Sequence, residues 1–204
     1  MKKEESKRNK KKKILWRITL FSGIALIIAA VGMFVWCQID ANQNEENLRE
    51  YVALINEAVS EKQNAVLEEK SDNMMPVMSI KRKDFIGLLE FQSNNRILPV
   101  CAKWENIDAY PCRFEGSIYD GSIIIGATDQ KGQIDFIDNI LVSDKVTFTD
   151  MLGDCYSYKV MNIRFSDNAE YGNLTKGDYD LTIFIKKTYS SDYIIINCIA
   201  AGTI

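Results

Sequence analysis

Chemistry in this 204-residue chain would have to come from five cysteines and from carboxylates, lysines and tyrosines, because it contains no histidine. Without an imidazole there is no Cys-His or Ser-His-Asp machinery and no histidine-liganded zinc site. Cys37, Cys101, Cys112, Cys155 and Cys198 are scattered, with no C-x-x-C pair. Outside a membrane some could pair, but such spacing does not describe a disulfide scaffold, and they are read as ordinary small thiols. The most pointed stretch is "DLTIFIKKT", residues 180–188, an apolar alternation that ends in Lys186 and Lys187. Three uses of Lys186 follow from its chemistry. Its stem could lie on apolar surface with the ammonium in water, its ammonium could donate to an extended peptide or an acidic terminus, or it could be a desolvated nucleophile. Asp129, Asp135, Asp138 and Asp144 raise the question of calcium, but no loop has the D-x-D-x-D-G spacing. They are read as solvated surface, and no metal or other cofactor is expected.

The elements that position these residues begin with a charge asymmetry. Residues 1–17 hold nine Lys/Arg against two Glu, and the rest of the chain holds sixteen basic and twenty-six acidic residues. Next comes "ITLFSGIALIIAAVGMFVWC", residues 18–37, with no charged side chain. At a helical rise of about 1.5 Å per residue such a run spans roughly 30 Å, one hydrocarbon core. It is longer than a signal-peptide core, and bulky Trp36 precedes Cys37 where a cleavage or lipid-attachment site wants a small residue. The expectation is an uncleaved single-pass anchor, with residues 1–17 a basic cytoplasmic tail and everything from Gln38 outside the cell. The lysine run is then the cytoplasmic flank of the anchor; short and without interleaved aromatics, it does not predict nucleic-acid binding.

Beyond the anchor, residues 38–76 read as a helical stalk and linker. Leu48, Val52, Ile55, Val59 and Val66 recur at helical spacing on a charged background, with Tyr51 and Ala58 beside them. The repeat is too short for a coiled coil and predicts a helix with one face on the following domain; a polar turn ending at Pro76 closes it. From residue 77 to 204 the period changes. Short runs at 85–91, 96–102, 121–127, 144–150, 157–165, 179–188 and 193–201, bounded by Asn, Asp and Gly, predict an all-β sandwich or barrel, with one possible short helix at 132–141.

Several of these runs, in order, resemble the sortases of Gram-positive bacteria, membrane-anchored cysteine transpeptidases built on an eight-stranded β-barrel. "FIGLLEF" and "RILPV" are similar to the opening strands of that family, and "PCRFEGS" to a P-C-R-x-x-G-S stretch in one branch of it. "SIIIGATD" resembles V-I-A-G-H-N, "VSDKVTFTDMLGDCYSYKV" resembles the family's G-D-x-V-x-F hairpin, and "DLTIFIKKT" resembles D-L-T-L-x-T-C-T. "SSDYIIINC" resembles the last strand, where the family carries R-x-x-V-R-C. The fold implied is all-β, a sortase-like closed eight-stranded β-barrel preceded by an N-terminal transmembrane helix and an amphipathic helical stalk.

The chemistry implied by the resemblance is missing. Alignment puts Ala127 at the histidine position, Lys186 at the cysteine position and Tyr193 at the arginine position, and a slip of one residue would substitute Thr128 or Lys187. None of these supplies the thiolate, the imidazolium or the guanidinium that transpeptidation needs. The expectation is an inactive sortase-like protein that binds a peptide or protein in surface-protein sorting or assembly. Lys186, Tyr193 and Thr128 are its candidate peptide-binding residues. Its partners would be the membrane and either a surface-protein or pilus precursor or an active sortase. The alternative is an active transpeptidase or hydrolase that uses residues other than the family's.

Overall fold

The structure is a computed structural model that describes residues 2–64, 75–105, 107–168, 170–175 and 178–201. The chain divides into two compact units, residues 1–41 and 42–204. Helix α1 (Lys2–Asn64) supplies all the described structure of the first. Within it Thr19–Trp36 is apolar and long enough to cross a bilayer, about 27 Å at helical rise. Phe21, Leu26, Ile28, Met33 and Phe34 all present their side chains outward, as lipid-facing residues do.

In the second unit the remaining part of α1 buries one stripe, Leu48, Tyr51, Ile55 and Val59. The intervals of three and four residues keep these side chains on one face. Val66 and the polar turn before Pro76 lie outside the described residues, apart from Met75, which is buried against the barrel core.

Nine strands form one sheet: β1 (Met78–Ile80), β2 (Lys83–Phe91), β3 (Arg96–Cys101), β4 (Cys112–Ser117), β5 (Ser122–Thr128), β6 (Lys145–Asp150), β7 (Cys155–Ser166), β8 (Leu181–Lys186) and β9 (Tyr193–Ala200). The order is β1-β2-β3-β4-β5-β8-β9-β7-β6, and β6 pairs back onto β2 from Phe91↔Val146 to Gly87↔Asp150. Strands β2 to β9 therefore close an eight-stranded barrel, the architecture expected from the sequence, and β1 is a short hairpin arm on β2. Closure gives the apolar alternation its meaning, since odd and even positions of each strand go to opposite faces. On β8, Leu181, Ile183 and Ile185 enter the interior with Ile123, Ile125 and Ile196, whereas Phe184 packs in a separate cluster outside. Pro99 is tolerated because β3 meets β4 only at Cys101, leaving its outer edge unpaired at the proline.

Residues 132–141 differ from the expected short helix. They form consecutive turns ending in a 3-10 turn at Ile137–Asn139. Ile134, Ile137 and Ile140 are buried at a period of three, with Ile137 N–H bonded to Ile134 O and Ile140 N–H to Ile137 O, the 3-10 pattern. Gly132 at φ +94° starts the segment in a left-handed conformation, and a Cβ there would come within 3.1 Å of Glu45 Cα on α1.

The seating of α1 on the barrel is testable at Ile55, which is fully buried against Phe85 and Leu88. Ile55→Ala should cost about 2–4 kcal/mol, read as a lowered urea midpoint of the full chain in detergent. An unchanged midpoint would mean that this stripe does not hold the helix.

Candidate functional site

Three strands bring the candidate residues into one row. β5 and β8 run parallel with Thr128 opposite Lys186, and β8 and β9 run antiparallel with Lys186 opposite Tyr193. The row continues onto β7, where Ser166 stands opposite Tyr193. Residues directly opposite in a ladder share a face, and this is the outer face, because the neighbouring Ile185 and Ile194 are interior. Ala127 is not in the row. It pairs with Ile185 and is fully buried in the barrel interior.

The three side chains differ in environment. Lys186 is exposed, and among the described residues its ammonium has no hydrogen-bond or ion-pair partner. An exposed ammonium lacks the desolvation that a nucleophilic lysine requires. Tyr193 is half-buried, its ring 6.3 Å from that of Phe184. Thr128 is 1% exposed, and its buried Oγ1 has no hydrogen-bond partner among the described residues. An orphaned hydroxyl at a strand end costs on the order of 1–3 kcal/mol, which a ligand that bonds to it would recover.

The rim around the row is braced by polar ties. Buried Gln133 accepts from Thr128 N–H at 3.2 Å and donates to the Ile107 and Asp108 carbonyls at 3.0 and 2.9 Å, fastening the end of β5 to the β3–β4 loop. Asp129 accepts from the Thr188 N–H at 2.7 Å and from its hydroxyl, and Lys187 N–H bonds to Asp192 O at 3.0 Å. The turn after Lys186 is thus held from both sides. The other aspartates disperse: Asp135 pairs with Arg96 at 3.1 Å and Asp144 accepts from Leu141 N–H at 2.9 Å. Among the described residues no three His, Cys, Asp or Glu groups gather as metal ligands.

One row further in, the outer face carries an aromatic shelf that sequence reasoning did not assemble. Trp104 packs at 5.5 Å from Phe184 and 5.1 Å from Phe114, and these two are 5.5 Å apart. The Trp104 ring lies on Gly126, where a Cβ would come within 2.4 Å of the indole. A glycine inside an apolar strand is itself a sign of such close approach, and it was the available clue. Arg164, also missed, reaches the same face from β7; its Nε donates to Asn197 at 3.2 Å and its Nη2 to the Asn173 carbonyl. Asn197 in turn donates to Thr182 at 3.1 Å.

Thiols are placed away from the row. Cys198 points into the interior and burial pushes it up to about 12, so it stays protonated near neutral pH. Cys155 is exposed but opens β7, eleven residues from Ser166, roughly 36 Å along an extended strand. Cys112 is on the outer face but 1% exposed beneath α1. The arrangement offers donors and an aromatic platform, with no exposed thiol beside them among the described residues.

No family model and no curated protein matches the sequence. The fold matches solved sortases. A sortase C1 of Streptococcus agalactiae superposes with a TM-score of 0.53 at 14% identity, covering 81% of this chain and 98% of that one. A Streptococcus pneumoniae sortase C gives 0.53 at 15% identity, covering 78% and 97%. A Clostridium perfringens sortase C, solved with the C-terminal cell wall sorting motif, gives 0.52 at 16%, covering 78% and 91%. At these identities the likeness is one of fold: this chain has a sortase-like barrel.

Two outcomes check the site geometry. In the folded protein a maleimide should modify Cys155 and leave Cys198 unmodified until denaturant is added. Gly126→Ala should displace the Trp104 ring and destabilise the domain by about 1–3 kcal/mol, measured by denaturant titration. A neutral substitution would mean that the indole does not rest there.

Proposed function

We propose that this protein is a single-pass membrane protein with a cytoplasmic basic tail and an outward-facing sortase-like barrel that binds an extended peptide without cleaving it. The single observation that carries the reading is the row Thr128–Lys186–Tyr193, in which a buried hydroxyl and an exposed ammonium, neither with a partner among the described residues, lie side by side at the end of three strands. An extended chain laid across these strand ends would meet donors for its carbonyls or a carboxylate, and Trp104 and Phe184 for its apolar side chains. The peptide class suggested by the fold is a sorting signal of a surface-protein or pilus precursor. An active sortase is the second partner of the same kind, bound through its own substrate side.

Support for the loss of chemistry is local. The position that resembles the family's nucleophile is Lys186, no histidine exists in the chain, and among the described residues the one exposed thiol, Cys155, stands at the far end of β7 from the row. Orientation rests on the charge asymmetry, nine basic residues before Thr19–Trp36 and a net acidic chain after it.

The experiment is to mix the full chain in detergent with a panel of extended sorting-signal peptides and to follow binding by calorimetry and cleavage by mass spectrometry. Binding without cleavage is expected, weakened about tenfold by Lys186→Ala through loss of one charge-assisted contact. Cleaved peptide would overturn the inactive reading in favour of an unorthodox transpeptidase. Binding unaffected by substitutions at Lys186, Thr128 and Trp104 would move the site elsewhere.

A further inference from the structure

The thiols at the β3–β4 junction are a reactive pair that the proposed peptide site does not use. Cys101 ends β3, Cys112 begins β4, and they are direct partners in the single parallel rung joining these strands. The Cys101 N–H donates to the Pro111 carbonyl at 2.8 Å, drawing the backbones together at this rung. Paired strands lie about 4.7–4.9 Å apart, within the 4.4–6.8 Å Cα separation of disulfides. Both side chains enter the same outer cluster, beneath Tyr51 and Ile55 of α1 and beside Phe85. Contact with the Cys112 thiol, followed by burial, raises the Cys101 thiol far above its ordinary range. The same contact lowers the Cys112 thiol, as expected of two neighbouring sulfurs of which one takes the charge first.

We infer that Cys101 and Cys112 are joined by a disulfide in the mature protein, closing the neck of the 102–111 loop. The inference rests on the outward placement proposed above, since thiols meet oxidants outside the cytoplasm. An oxidant of the disulfide class, small molecule or protein, accepts the two electrons. Attack of one cysteine thiolate gives a mixed disulfide, the second thiolate displaces the oxidant's sulfur, and the oxidant leaves as two thiols carrying the two protons lost. Access is narrow. The cavity beside Cys101, lined by Arg82, Lys83, Asp84, Lys103 and Glu105, has a volume of about 40 Å³, room for a water or two. The bond consequently forms before α1 covers the pair, and α1 then shields it from reductants. The bridged loop carries Trp104, so the link also fixes the neck of the segment that holds the indole over Gly126.

Trypsin places the two cysteines on separate peptides, residues 97–103 and 104–113. Cells making the full chain are quenched in acid and blocked with N-ethylmaleimide, and the chain is digested without reductant. In parallel, the reduced full chain in detergent is unfolded in denaturant, refolded in a glutathione redox buffer and treated likewise. The expected product in both arms is one species with the summed mass of the two peptides less two hydrogens. Cys101→Ser should abolish it and leave Cys112 fully alkylated. Both cysteines alkylated in both arms, or either one linked to Cys155 or Cys198, would overturn the pairing. A bridge in the redox buffer with both cysteines alkylated in cells would overturn the outward placement and, with it, the bridge in the living protein.

Discussion

The backbone ladder between β2 and β6 is the constraint from which the rest of the domain follows. A sheet of this size left open would expose two edges, and pairing β6 onto β2 removes them from the eight-stranded body. Once the sheet is closed, the parity of each strand is no longer free. Ile183 and Ile185 must be interior because the barrel has one interior, and Phe184 and Lys186 are consequently outside. The chemical character of the outer face is thus a by-product of how the inside is filled.

That outer face is divided by what covers it. Over β2, β3 and β4 lies α1, whose stripe of Leu48, Tyr51, Ile55 and Val59 removes apolar surface from water, each residue contributing about 1.5–3 kcal/mol. Over β5, β8 and β9 there is no helix of comparable length among the described residues. The surface is covered instead by the chain's own aromatics, Trp104 and Phe114, brought in by the β3–β4 loop and β4. Gln133 and Asp129 tie the edges of this second region together through backbone groups. A row of polar strand ends is thus bounded by a braced aromatic platform.

The same division separates the thiols from the row. A nucleophilic cysteine must be exposed enough to meet its substrate and stand beside it, and no cysteine among the described residues is both exposed and next to the row. Cys198 is buried in the interior, Cys112 is buried beneath α1, and Cys155 is exposed at the far end of β7. Lys186 occupies the row as an exposed side chain.

Much of this was legible in the chain. Seven strands, the apolar span and the amphipathic stripe follow from periodicity, because alternation at two and at three to four residues reports which side chains can share an apolar surface. β4 was not read as a strand, since "CRFEGS" offers no apolar alternation and contains a glycine; its partners β3 and β5 make it one. The sequence by itself determined that histidine chemistry is absent, that a hydrophobic span sits behind a basic tail, and that an apolar strand ends in Lys186. It could not decide which residue of β5 stands beside that lysine, Ala127 or Thr128, because a shift of one residue exchanges the two faces of a strand. Nor could it bring Trp104 onto Gly126 or Cys101 against Cys112. These are pairings between segments separated in the chain, and only the closed sheet fixes the register in which they meet.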